Sequence, residues 1–557
     1  MQKTILVAIN AKFIHTNVAI QTLKHYCTQP MTTLEFTIND SFHYILSEIH
    51  ATAPTIIGFS CYIWNIQIVR NLVDALKKIL PSTLIILGGP EVSYDAEALL
   101  KSIPADIIVR GEGEETLNEI LNENPLASII GITYRNELGN ICSTSPREKL
   151  NPHDMVFPYS DDNLPENKII YYESSRGCPF SCGYCLSYNE KPVRLISLPQ
   201  VKKSLDFFLT HRVKQVKFID RTFNCDRNRA VDIWQYLIDN DNGFTNFHFE
   251  IAPHLLDESA FQCLTQAPEG LFQFEMGIQS THEETLTIIQ RETNTAMAIA
   301  NIYRLGTLPT MHQHLDLIAG LPNESYAQFA QSFNAVFALK PDMLQLGFLK
   351  LLKGSDLRKN AENLGIIYHH APPYEVLETP HMDYASLTRL KAIESALDKL
   401  YNSGHFKQSV PYIISFFSSP FHFFESFADF WKSNNYHHVS QSLVTMYEIF
   451  AQFALPLCNE WVLANLLKYD WHAAGNQKSL PIALLSPLEE NAEQIAALYK
   501  STNTSRRFPI KKFTLNPLSD ERAMPTNNEV FHILFEPAGK KRPGAQNKTT
   551  RVTVLCD

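Results

Sequence analysis

Basic charge is in deficit here: the 557 residues carry 48 Lys and Arg against 58 Asp and Glu, a formal net charge of −10. The chain therefore lacks the overall positive footprint that phosphate backbones attract, which weighs against a nucleic-acid partner. Long apolar runs are missing as well. The amino terminus MQKTILVAIN offers one lysine and a five-residue apolar run ended by Asn10, too short for the core of a secretory signal. The most aromatic stretch, Tyr412–Trp431, is broken by Pro420, His422, Glu425 and Asp429, which argues against a membrane span and for a buried helical pair. No internal repeat and no low-complexity tract is present. Without export the expectation is a cytoplasmic protein whose ten cysteines sit in a reducing compartment. There a tight cysteine cluster signals metal binding or catalysis rather than disulfides.

What is present is a globular composition, 45% hydrophobic and 19% charged, long enough for about three or four domains. From Thr4 to about Asn124, short β-rich runs (TILVAIN, LEFTIND, TIIGFS, TLIILGG, DIIVRG) alternate with stretches of helical periodicity. The expected fold class is α/β, beginning with a five-stranded Rossmann or flavodoxin-like domain over residues 1–125. Ligands on such sheets bind at the carboxyl ends of the strands. Those ends are Asn10-Ala11, Ser60-Cys61, Gly88-Gly89-Pro90 and Gly111-Glu112-Gly113, where glycine lets a large flat ligand approach the backbone. A hairpin over Ile132–Cys142 and a polar linker fill 126–167. A second alternation follows, with strands KIIYYES, VKQVKFID, NFHFEIA, LFQFEMGI, HQHLDLIAG and DMLQLGFLK. Six such units predict an incomplete version of the eight-unit barrel, placed at 168–367. Residues 368–557 read as a mainly helical accessory domain ending in a polar tail with strand-like VFHILFE and TRVTVLC; they carry no catalytic motif.

The chemistry concentrates in ESSRGCPFSCGYC, residues 173–185, where Cys178, Cys182 and Cys185 form CxxxCxxC directly after the first barrel strand. Four thiolates would close a tetrahedral metal site. Three leave one iron of a four-iron cube bare, free to chelate a small molecule. Zinc and an inert triplet are the competing readings. Zinc spacing usually needs a second CxxC or a histidine pair, and neither lies near this loop.

The triplet with an aromatic residue before its last cysteine, Tyr184-Cys185, resembles the signature of the radical S-adenosylmethionine (SAM) superfamily. The resemblance implies a 4Fe-4S cluster on the three cysteines and SAM on the free iron. It also implies reduction of SAM to methionine and a 5'-deoxyadenosyl radical that abstracts hydrogen from an unreactive carbon. Along the barrel it implies SAM contacts from Tyr184, from Asp220 in FIDRTF, from Glu275 and the GIQS run with Gln279, and from Asp316 and Gly320. Each acidic residue could equally cap a helix or serve as a partner in an exposed loop. The amino-terminal domain with its hairpin and linker is similar to the cobalamin-binding class of this superfamily, which implies corrin contacts from Ser60, Gly88, Gly89, Gly111 and Gly113. Many members carry DxHxxG after the first strand. This chain reads NAKFIHTN there, with His15 outside that spacing.

Together the two resemblances cover roughly residues 1–370. They imply an enzyme of methyl transfer, cyclisation or rearrangement acting on a small-molecule or peptide substrate, supplied with electrons by a flavodoxin or ferredoxin. A non-catalytic cobalamin or redox sensor and an Fe-S electron-transfer protein are the alternatives, although electron transfer favours a fully ligated cluster. The catalytic residues and the substrate are not named by any pattern in the barrel.

Overall fold

The structure is a computed structural model that describes residues 3–475, 510–513, 517–518, 531–537 and 550–555. Most of the polar tail expected near the carboxyl end lies outside the described residues.

The run TILVAIN becomes the strand Thr4–Asn10, buried at every position, as a central parallel strand covered by helices on both faces requires. It pairs in parallel with Met31–Thr37 on one side and Ile56–Ser60 on the other. Leu84–Gly88 and Ile107–Val109 continue the parallel order. The helix Ile66–Ile79 shows why its sequence folds this way. It buries Ile66, Val69, Leu72, Val73 and Leu76, three and four residues apart on one face. Separate apolar cores form on the two faces of the sheet, around Ile5, Val7 and Ile57 on one and Leu6, Ala8 and Ile86 on the other.

The hairpin is more than a spacer. Its strands Ile132–Arg135 and Ile141–Ser143 add antiparallel to Ile107–Val109, so the sheet has seven strands. Ile132, Thr133 and Tyr134 are buried there, and that burial draws the segment onto the sheet edge.

Six parallel strands form the second sheet: Ile170–Tyr172, Gln215–Phe218, Asn246–Glu250, Phe272–Gln279, His312–Ala319 and Met343–Phe348. They run in sequence order and the first and last strands do not pair with each other, an open barrel. On its helix-covered face Phe218, Phe249, Phe272 and Phe274 build an aromatic core with Trp234 of the helix Arg227–Asp239. A register shift between Gly277 and Gln279 interrupts the fourth strand, and Gln279 takes the left-handed conformation, φ 70°. Such a bulge re-aims side chains at a strand end.

Beyond the barrel the chain is helical, with helices Tyr384–Leu397, Ser409–Ile414, Pro420–Ser433, Leu443–Ala454 and Glu460–Ala473. The aromatic stretch 412–431 forms parts of two of them, and Phe421 and Phe424 pack edge-on against Phe333 of the barrel helix Tyr326–Phe337. The strand-like runs near the end pair with Ile510–Phe513 in a three-stranded antiparallel sheet. No helix among the described residues is long and apolar enough to cross a membrane.

Candidate active site

The first barrel strand delivers the chain to a short antiparallel ladder, Ser175–Arg176 with Arg194–Leu195, and the cysteine loop lies between its two strands. Gly177 opens the loop at φ 99°; a Cβ there would overlap the Glu190 carbonyl. The loop is tied at Gly183, whose N–H donates to Ile289 O at 2.8 Å and whose carbonyl accepts from Leu357 N at 2.9 Å. Cys178 Sγ lies 3.4 Å from Thr222 Oγ1, and Cys185 Sγ accepts from Ser187 N at 3.4 Å. Arg291 Nη1 approaches Cys182 Sγ at 3.6 Å. Burial raises the Cys182 thiol, and the Arg291 guanidinium pulls it back toward the thiolate.

All three cysteines face one cavity of about 220 Å³ at the carboxyl ends of the barrel strands. Tyr184, Glu275, Gln279 and Asp316 share that wall. The Tyr184 hydroxyl accepts from Arg291 Nη1 at 2.9 Å, and Arg291 also donates to Gly277 O. Two expected residues are not brought there. Asp220 is 1% exposed and spends its carboxylate on Ser174 N (2.9 Å), Ser174 Oγ (2.6 Å) and Ser175 Oγ (2.6 Å). It braces the strand that leads into the cysteine loop. Gly320, at φ 81°, faces Leu387 and Val376.

Around Glu275 and Asp316 the barrel interior carries a polar cluster whose other members, Lys217, His248, Glu250 and His314, sequence reasoning left aside. Glu275 Oε2 accepts from Lys217 Nζ at 2.8 Å and from His248 Nε2 at 3.0 Å, while Glu250 Oε1 lies 3.7 Å from Lys217. His314 Nε2 and Asp316 Oδ1 are 3.1 Å apart. Burial works against the charge on Glu275, but His248 and Lys217 outweigh it and hold the carboxyl below its usual range. His248 is pushed down to about 4 by burial, so it donates as a neutral ring. Glu250 is raised by burial and by the Glu275 carboxylate. The signal for these residues was present. His248 and Glu250, and His314 and Asp316, sit two apart on their strands, the spacing of one strand face.

A second cavity, about 300 Å³, lies between the carboxyl ends of the amino-terminal sheet and the barrel. Ser60, Gly88, Gly89, Gly111 and Gly113 line it, with Glu173, Ser175, Arg176 and Ile219 on the barrel side. The glycines divide into two kinds. A Cβ on Gly88 would come no nearer than 3.9 Å to any atom, one on Gly113 no nearer than 3.5 Å, and one on Gly111 would meet nothing within 4 Å. These three keep open a space that the protein does not fill, a cradle suited to a flat ligand. Gly111 and Gly89 both take a positive φ, 78° and 110°, but only at Gly89 would a Cβ also clash, 2.6 Å from Cys61 O, so there the close approach of the backbone demands glycine as well. His15 stands outside both walls, its Nδ1 2.6 Å from the Tyr171 hydroxyl.

An ion lattice joins the two units beside this cavity. Arg176 contacts Glu173 (2.8 Å), Glu114 (2.6 Å) and Glu112 (3.7 Å), and Arg194 Nη1 donates to Glu112 at 3.0 Å. Burial pushes Glu173 up to about 7 against the pull of Arg176.

Three family descriptions match successive parts of the chain: the B12 binding domain over residues 4–121, the Radical SAM superfamily over 172–336, and a protein family of unknown function (DUF4080) over 362–550. Among curated proteins, the uncharacterized methyltransferase PH0819 of Pyrococcus horikoshii is 29% identical over 195 residues, 32% of this chain and 42% of that protein. The cobalamin-dependent radical SAM methyltransferase TokK of Streptomyces tokunonensis is 23% identical, covering 51% of this chain and 45% of its own. The anaerobic magnesium-protoporphyrin IX monomethyl ester cyclase of Rubrivivax gelatinosus is 21% identical, covering 54% and 57%. The chain thus spans about half the length of these relatives. The fold is similar to that of the cobalamin-dependent SAM radical enzyme OxsB with aqua-cobalamin bound (TM-score 0.56, 16% identity, 85% of this chain and 84% of that one). It is equally similar to the radical SAM methyltransferase TsrM from Kitasatospora setae (TM-score 0.56, 16% identity, 67% and 80%). The chain thus carries a region similar to the B12 binding domain followed by one similar to the Radical SAM superfamily, and these matches imply a 4Fe-4S cluster, SAM and cobalamin as cofactors.

Proposed function

We propose that this chain is an enzyme that cleaves SAM reductively to begin radical chemistry, a methyl transfer, cyclisation or rearrangement, on a small substrate lying between its two cavities. The observation that carries this reading is the meeting of the cavities: the cysteine-lined space and the glycine-lined space have Arg221 in common as a wall residue. Two cofactors held in those spaces would both reach one substrate.

When bound, the cluster and SAM supply a carbon-centred radical and cobalamin supplies a carrier for a methyl group or an electron. The protein's own residues position these groups and exclude water. In this reading Cys178, Cys182 and Cys185 ligate the cluster, and the tie of Gly183 to Ile289 and Leu357 fixes the loop. Tyr184, Glu275, Gln279 and Asp316 form the SAM wall. Lys217 and His248 keep Glu275 ionised, so a carboxylate faces the side where the sulfonium and ammonium of SAM would lie. Asp220 acts as a positioning residue through Ser174 and Ser175. Ser60, Gly88, Gly111 and Gly113 cradle the corrin, while Gly89 shapes the turn. An external one-electron donor is required, because the protein's side chains supply no reductant.

The test is anaerobic incubation of the reconstituted protein with SAM labelled in its methyl group, a reductant and candidate metabolites. Mass analysis should show methionine and 5'-deoxyadenosine from reductive cleavage and, if the reaction is methyl transfer, S-adenosylhomocysteine as well, with the label in product or corrinoid. Intact SAM in every reduced sample would sink the proposal.

A further inference from the structure

Resting on the reading above, we infer that Arg221 is an anion receptor for the substrate, which therefore carries a carboxylate or phosphate group near its reacting carbon. Arg221 is the residue common to both cavity walls. Its neighbours Asp220 and Thr222 are 1% and 7% exposed, while the Arg221 side chain stands open to the cavities. Its backbone is held. Ile219 N donates to Tyr172 O at 2.9 Å, and Asp220 is locked by the two serines.

Every other cation around these spaces has partners. Arg176 is held by three carboxylates, Lys217 by Glu275 and Glu250, Arg194 by Glu112 and Leu150 O, and Arg291 by Tyr184 and Gly277. Arg221 attracts Glu250, Glu190 and Glu173 at longer range, yet among the described residues none closes to an ion pair or hydrogen bond with it. A guanidinium presents a planar fork that matches a carboxylate or phosphate through two parallel hydrogen bonds. Open to the cavities and without a protein partner among the described residues, that fork is free to receive such a group. The position also suits the chemistry. A substrate carbon attacked from the SAM side and served from the corrin side must lie beside the residue that both spaces share.

Two other anions could reach the same fork, the carboxylate of SAM and the phosphate of cobalamin, and the experiment separates them. Holoprotein loaded with cluster, cobalamin and SAM is titrated calorimetrically with inorganic phosphate and with acetate. Wild type should bind at least one of them saturably. Arg221→Gln should weaken that binding roughly 10- to 100-fold, and Arg221→Lys should restore part of it. Corrinoid content, SAM affinity and melting temperature should match wild type in both variants. No binding by wild type, or equal binding by wild type and Arg221→Gln, overturns the inference. A matching fall in SAM affinity reassigns the fork to SAM, and a fall in corrinoid retention reassigns it to cobalamin; either overturns the substrate role. If anion binding depends on Arg221 while wild type never cleaves SAM, the anion site stands and the proposed function fails.

Discussion

Glu324 shows how a residue beside the site can govern stability. It is wholly buried, its Oε1 accepting from Ser280 Oγ at 2.5 Å and Ser332 Oγ at 3.3 Å, while Oε2 has no partner. Burial raises its carboxyl to about 7 from an ordinary 4.5. The folded state therefore holds the proton more tightly than the unfolded state, so stability falls as pH rises from about 4.5 to about 7. Glu324→Gln keeps the accepting oxygen and removes the charge. The variant should match wild type near pH 5 and exceed it at pH 8 by on the order of 2 to 3 kcal/mol, read as a melting-temperature difference at the two pH values. Equal melting at pH 8 would contradict this account. The sequence gives no hint of the burial of Glu324, because the serines that hold it come from positions 280 and 332. Asp220 was hidden in the same way: FIDRTF marks a strand end, but only the fold brings Ser174 and Ser175 to that carboxylate.

At the scale of elements, apolar patterning told most. Five of the six barrel strands lie within their expected runs and the fourth ends one residue beyond, at Gln279, since apolar residues recurring at every second position mark a strand. The amino-terminal hairpin was legible as a hairpin but not as a sheet edge, because pairing partners are set by tertiary burial of Ile132 and Tyr134. The glycines at the strand ends were visible as a set, and geometry divides them. Gly88→Val should leave the melting temperature within a few degrees of wild type, because its Cβ meets no atom closer than 3.9 Å, yet should cut corrinoid retention after desalting at least about tenfold by filling the cradle. Gly89→Ala should instead lower stability by about 1 to 3 kcal/mol through its left-handed φ and the Cys61 carbonyl. Absorbance of bound corrinoid beside a thermal melt separates the two. Full retention by Gly88→Val would show that the corrin lies elsewhere.

At the scale of the whole molecule, the lattice of Arg176, Arg194, Glu112, Glu114 and Glu173 joins the sheet that forms the glycine cradle to the ladder that holds the cysteine loop. These five residues are spread over positions 112 to 194, and no local pattern connects them. Arg176→Gln would leave three carboxylates facing one another with little screening. It should cost about 2 to 4 kcal/mol in denaturant unfolding. Arg194→Gln should cost less, because Glu112 keeps Arg176. Identical midpoints for both variants would show that the lattice does not join the units. The central claim, that three thiols hold an open iron site which cleaves SAM, is tested most directly by one comparison. Iron content and 5'-deoxyadenosine yield are measured for anaerobically reconstituted wild type and for the Cys178→Ala, Cys182→Ala, Cys185→Ala variant, each incubated with SAM and dithionite. The account predicts about four irons and 5'-deoxyadenosine in the wild type and neither in the variant; iron retained by the variant, or a four-iron wild type that leaves SAM intact, would contradict it.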